Sequence, residues 1–135
     1  MTDRFPPFNE VPVNRHLGFR LVAQGEGVAE VSMDAREDFI QETGVVHGGI
    51  LTTLADTACV YSLRPGLNPG RTMTSIELKL NFLRPVLPER GAVTARATLV
   101  QLGKTIGVSD VEVSQAGKPV ARGLFTYLVR NESGR

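Results

Sequence analysis

The stretch Val45-Val46-His47-Gly48-Gly49-Ile50-Leu51-Thr52-Thr53-Leu54-Ala55-Asp56-Thr57-Ala58-Cys59-Val60-Tyr61-Ser62-Leu63-Arg64 decides how the rest of the chain is read. Ile50, Leu51, Leu54, Ala55, Ala58, Cys59 and Leu63 recur at helical spacing, which predicts one helix over 47–64. The face opposite them carries small and hydroxylated residues, and Asp56 is the only charge before Arg64. A helix with so little polar surface belongs in a protein interior. Ala55, Ala58 and Cys59 would let it lie close to a sheet. A lone carboxylate is costly to bury without partners. A solvent-facing or capping aspartate is the plain alternative, but no polar stripe accompanies Asp56. The residue pattern therefore favours a carboxylate kept as base or nucleophile in a dry site.

Outward from this helix the pattern is strand. Residues 19–23 and 28–33 form two strands around a tight turn flanked by Gly25 and Gly27. Residues 35–46 read as a short helix and a loop ending near Gly44. After the helix, Pro65, Gly66, Pro69 and Gly70 break the chain. Ile76, Leu78, Leu80 and Phe82 then alternate with Glu77, Lys79 and Asn81, a half-buried strand. Pro85 and Pro88 end it. Residues 93–102, 105–114 and 120–129 are three more strands, joined by hairpins at Gly103-Lys104 and at 115–118. Alternation in the middle one changes phase near Ser109 and Asp110, which predicts a bulge there. The sum is α+β: a curved antiparallel sheet of about six strands wrapped around one long central helix. Residues 1–14 read as a poorly ordered N-terminal arm leading into a helical turn, 15–130 as a single domain, and 131–135 as a C-terminal tail.

With 135 residues the chain suits one domain with a real core. A net charge of +1 with no basic run gives nucleic-acid binding no support. No stretch reaches the ~20 apolar residues of a membrane span. The N-terminus has no signal-peptide core, and one cysteine cannot form an internal disulfide, so a cytoplasmic, reducing location is expected.

His47-Gly48-Gly49 is the second chemical signal. Backbone N–H groups at a helix start, with no Cβ in the way, can polarise a carbonyl. Alone, the tripeptide reads equally as a turn with a capping histidine. Gly48 and Asp56 are eight residues apart, about 12 Å along a helix at ~1.5 Å per residue. An oxyanion donor and a nucleophile must both lie ~3 Å from one reacting centre. One copy of the helix cannot meet that condition, whereas two antiparallel copies can, so the spacing predicts a shared dimeric site if both groups act together.

The run Gly44-Val45-Val46-His47-Gly48-Gly49, followed by Ala55-Asp56-Thr57-Ala58 and later by the segment from Ser75 to Pro85, resembles the PaaI-like hotdog-fold acyl-CoA thioesterases. The resemblance implies a hotdog fold and hydrolysis of an acyl-CoA thioester to the free acid and coenzyme A. It implies no cofactor and no metal, since coenzyme A is part of the substrate. It assigns the carbonyl donor to the Gly48 backbone, the attacking or water-activating carboxylate to Asp56 of the partner subunit, and a hydrogen-bonding structural role to His47. Gln41 matches an amide that helps bind the reacting group, Gly49 lies beside it, and Ser75 or Thr74 matches the residue holding the water. Some relatives hold that water with a threonine one helical turn after the carboxylate. Val60 stands at that position and offers only apolar contact with substrate. Arg84, Arg90 and Lys104, in loops after strands, are candidate partners for coenzyme A phosphates or plain surface charges. The assembly implied is a homodimer with shared sites, paired as a dimer of dimers.

Two rivals stand beside this reading. A hotdog acyl-CoA hydratase or dehydratase needs an Asp and a His poised together, but Asp56 and His47 are far apart on one helix. A non-catalytic acyl-CoA-binding protein gains little from a buried carboxylate.

Overall fold

The computed structural model describes residues 5–132. Helix α1 spans Pro12–Leu17 and α2 spans Gly48–Leu63. The strands are β1 (Arg20–Gly25), β2 (Val28–Met33), β3 (Arg71–Phe82), β4 (Val93–Leu102), β5 (Ile106–Gln115) and β6 (Lys118–Asn131). They form one sheet in the order β1-β2-β4-β5-β6-β3, and each pair is antiparallel. This is the α+β hotdog arrangement expected from the sequence. Between β5 and β6, Ala116 (φ 52°) and Gly117 (φ 74°) make the tight turn whose two left-handed residues match the twist of the flanking strands.

Helix α2 crosses one face of the sheet and packs chiefly on β2, β4 and β5. Leu51, Leu54, Ala55, Ala58, Cys59 and Leu63 are buried against Val31, Met33, Val93, Ala95, Ala97, Val111 and Val113. Alanines on both sides of this contact bring the backbones close, so the core is thin and dense. By contrast α2 makes few contacts with β3, which is the sheet's far edge.

Three expectations change. The arm does not hang free from Phe5 onward: Phe8 stacks edge-on against Tyr61 with ring centroids 4.9 Å apart, and Asn14 is buried and donates to the Phe8 carbonyl. Residues 1–4 and 133–135 of the expected arm and tail lie outside the described residues. The bulge expected at Ser109 and Asp110 is absent, because Gly107, Ser109, Val111, Val113 and Gln115 keep one inward phase. Ser109 looked out of phase only because it is polar; it faces in, and its hydroxyl meets that of Ser62 at 2.7 Å. The register breaks instead beside Val100 in β4, Ile76 in β3 and Val120 in β6. Lastly, the apolar face of β3 is only partly covered: Leu80 packs against the core, but its neighbours on that strand stay open. Ile76, Leu78 and Phe82 are each about half exposed, at 54%, 45% and 53%.

No helix among the described residues is long and apolar enough to cross a membrane.

Candidate active site

Two clusters of chemically capable groups sit on α2, one at its start and one at its middle. At the start, His47 is the N-cap, and its Nδ1 accepts the Gly49 N–H at 2.8 Å. That contact places the imidazole proton of neutral His47 on Nε2. It also consumes the Gly49 donor and leaves the Gly48 N–H with no hydrogen bond among the described residues. Such an unused donor at a helix start carries the positive end of the helix dipole.

Gly48 has a second reason to lack a side chain. A Cβ there would meet the Phe82 ring at 3.0–3.4 Å. Gly48, Gln41, Val45, Val46, Leu51 and the segment from Phe82 to Val86 enclose a groove of about 420 Å³. Gln41 lies in a tight turn closed by its N–H to the Val45 carbonyl at 2.8 Å. Its Oε1 accepts from the Thr43 N–H and from the Thr43 hydroxyl, the latter at 2.7 Å. The amide oxygen is thus occupied, and Nε2 is the end of Gln41 left to donate into the groove. Of the residues expected from the sequence, Gln41 and Gly48 line this groove, whereas Gly49 does not and gives its N–H to His47.

Asp56 lies half-buried at the middle of α2. The Tyr127 hydroxyl donates to Asp56 Oδ1 at 2.5 Å and also reaches the Asp56 carbonyl at 3.3 Å. Burial raises the Asp56 pKa above the ordinary carboxylate value, and the Tyr127 hydrogen bond opposes that rise. Burial, and after it the neighbouring Cys59 and Asp56, push the Tyr127 phenol far up. Ser75 pairs with Tyr127 across the β3–β6 ladder. Directly opposed residues of an antiparallel pair share a face, so Ser75 is on the helix side of the sheet, opposite Tyr127, and it is exposed. Thr74 pairs with exposed Leu128 and lies on the other face, away from Asp56. Val60 is half-buried one turn beyond Asp56.

The three cations do not form one cluster within a chain. Arg84 lines the groove beside Gly48 and donates to the Pro119 carbonyl at 2.7 Å. Arg90 ends the turn Pro88–Arg90, whose neighbours Leu87 and Gly91 bond to Gln115 at the same end of the sheet. Lys104 sits in the β4–β5 hairpin, where its carbonyl accepts from Arg71. Along β6 from Pro119 to Val129, which bonds Thr105, that is roughly 33 Å from Arg84.

Tyr127 is the site residue that sequence reading passed over. Its signal was its phase: it alternates with Phe125 and Val129 on the inner face of β6, and a buried phenol there needs a partner.

Among the described residues no group of three or more His, Cys, Asp or Glu side chains converges as a metal site. What the arrangement offers is a carboxylate in a drying environment and, about 12 Å away along the helix, a free backbone donor above a groove. Those are the parts of hydrolysis at a carbonyl centre, in two separated halves.

A model of the thioesterase superfamily matches residues 43–121. An inferred esterase of Haemophilus influenzae is 37% identical over 98 residues, which is 73% of this chain and 70% of that one. The acyl-coenzyme A thioesterase PaaI of Escherichia coli is 34% identical over 106 residues, 78% of this chain and 73% of that one. Among solved structures, a thioesterase from Haemophilus influenzae superposes with a TM-score of 0.85 at 32% identity, covering 94% of this chain and 90% of the other.

Proposed function

The chain belongs to the thioesterase superfamily, and from that premise we propose that it hydrolyses an acyl-CoA thioester at sites shared between two copies of itself. One observation carries the reading. The Asp56 carboxylate and the Gly48 donor are fixed on one continuous helix, too far apart to act on one carbonyl, while the flank between α2 and β3 stays uncovered. β3 is a 12-residue edge strand with apolar residues on its helix side, a template for pairing with another chain. A two-fold arrangement pairing the β3 edges and laying the α2 helices antiparallel sets Gly48 of each chain near the partner's Asp56.

In that site the acyl carbonyl lies against the Gly48 N–H and Gln41 Nε2, which stabilise negative charge as it develops on oxygen. Asp56 then either attacks the carbonyl carbon or takes a proton from a water held beside Ser75. In the water route the oxygen–carbon bond forms and the carbon–sulfur bond breaks. Coenzyme A leaves as thiolate and takes up the proton, giving the acid and the free thiol. The attack route reaches the same products when water cleaves the acyl–Asp56 anhydride. In this reading Arg84, which lines the groove, meets the diphosphate, with Arg90 at the same end of the sheet as a second candidate. Lys104 of the same chain is too distant to share it. Cytoplasmic residence belongs to the same proposal, with Cys59 a free buried thiol. So does pairing of dimers.

The test is release of coenzyme A thiol from a panel of aromatic and straight-chain acyl-CoAs. Asp56→Asn is expected to lose at least ~10²-fold in kcat. Sharing is tested by mixing Asp56→Ala with Gly48→Pro after proven subunit exchange. About half the dimers are then mixed, and about a quarter of all sites regain a full set. Gly48→Ala is the matched control, because it places the same Cβ against Phe82 but keeps its N–H. Thiol release by Asp56→Asn at the parent rate, or no recovery in mixed dimers, overturns the reading.

A further inference from the structure

We infer that Tyr127 is a positioning residue for this reaction, holding one oxygen of Asp56 so that the other is presented, ionised, to the thioester. The inference rests on the proposed role of Asp56 and adds to it a group from a different element of the fold.

The geometry is specific. Tyr127 is 1% exposed, so the walls of the core set where its hydroxyl lies. That hydroxyl donates to Oδ1 at 2.5 Å, a short bond of the kind a carboxylate makes. Oδ2 has no hydrogen bond among the described residues. Asp56 sits on the half-open stripe of α2, where a carboxylate with no anchor would swing between rotamers. With Oδ1 held, a single oxygen is left to act, in one orientation. Misplacing a reacting atom by about an ångström costs on the order of 10²-fold in rate.

The phenol cannot exchange roles with the carboxylate. Burial first, then the nearby Cys59 and Asp56, raise the Tyr127 pKa, so toward the Asp56 carboxylate the phenol is the donor. A donor aimed at Asp56 favours the ionised form, against burial that favours the neutral one. The other groups around the pair support this division. Cys59, on α2 itself, has a thiol pushed up to about 12 by burial and stays neutral. Ser109 from β5 and Ser75 from β3 carry no charge, and the facing positions of β2 and β4 are apolar or alanine. Among the described residues no cation acts on Asp56 in place of Tyr127.

Tyr127→Phe removes the donor and keeps the ring. The expected result is a loss of about 10-fold or more in kcat with KM within about twofold. The acid limb of the kcat/KM–pH profile also moves to higher pH, because Asp56 is then protonated more readily. A purely structural tyrosine would lower Tm and leave kcat and that limb in place, which overturns the inference. A second probe avoids any loss of packing. The chain has two tyrosines, so in a Tyr61→Phe background 3-fluorotyrosine enters only at 127. Its more acidic phenol is a stronger donor, and the acid limb is expected to move the opposite way, to lower pH. No movement, or movement to higher pH, overturns the inference even if Tyr127→Phe does not fold. Asp56→Asn, assayed in parallel, separates the two failures. If it is inactive and both tyrosine probes behave as the parent, only the positioning role falls. If it is active, Asp56 is not the acting group and both readings fall.

Discussion

The two flanks of helix α2 are built on different principles. Toward β2, β4 and β5 the helix presents Leu51, Leu54, Ala55, Ala58 and Leu63, all buried in alternating large and small contacts. Toward β3 it presents Gly49, Thr53, Asp56, Thr57 and Val60, none fully buried. The threonines there turn their hydroxyls back onto carbonyls four residues earlier, at 2.9 Å from Thr53 to Gly49 and 2.8 Å from Thr57 to Thr53. The hydroxyls are thereby paired within the helix itself. The covered flank stabilises the monomer. The open flank holds the carboxylate and is left partly exposed.

The most damaging single change is expected where β3 joins the rest. Gly123 of β6 has no space for a Cβ, which would fall 1.8 Å from the Lys79 carbonyl oxygen of β3. Gly123→Ala is therefore expected to pry β3 from β6, costing more than ~3 kcal/mol in urea unfolding and removing the open flank. Leu54→Ala on the covered flank should cost ~2–5 kcal/mol through the cavity it leaves. It should not change the molecular mass seen by sedimentation. If the two variants swap these behaviours, the division between the flanks is wrong.

A gentler change isolates the open flank. Leu78 faces the helix side of β3 and is about half exposed, so Leu78→Asp removes little buried area from one chain. It should leave the circular dichroism spectrum of the fold in place while shifting sedimentation to the monomer. Thiol release should fall with it. A monomer that keeps full activity would show that the open flank is complete without a partner.

The smallest effect tests the cost of the carboxylate itself. Burial raises the Asp56 pKa in the folded chain above the unfolded value of about 3.8. The folded state then binds more protons than the unfolded state through that window, so stability falls as pH rises across it. Asn at 56 still accepts from Tyr127 but carries no charge. Asp56→Asn is therefore expected to have the higher Tm at pH 7, by a few degrees at most, with the gain shrinking below about pH 4. An equal difference at both pH values, or a loss at neutral pH, would mean that burial does not dominate at this residue.

Much of the site is legible in the order of residues. Asp56 stands out because it is the only charge in a helix of apolar and small residues, and the eight-residue spacing from Gly48 requires two chains if both act on one centre. Other parts are not legible. Thr74 and Ser75 are neighbours in sequence, and only the register against β6 puts Ser75 beside Tyr127 and Thr74 on the far face. Lys104 reads like Arg84 as a loop cation, and only the sheet order separates them by the length of β6. Ser109 suggests a bulge when polarity stands in for orientation, whereas its buried partner Ser62 comes from α2.

The sequence by itself determined the position of α2, the number and order of strands along the chain, and the lone carboxylate. Each follows from periodicities of two or about 3.6 residues, which are properties of neighbouring positions. The tertiary structure alone decided that β3 is an edge, that its apolar side is uncovered, and that Tyr127 holds Asp56 across 71 positions of chain. Those facts depend on which strand pairs with which and in what register. A one-residue slip would keep the local pattern of each strand and turn every one of its side chains to the other face.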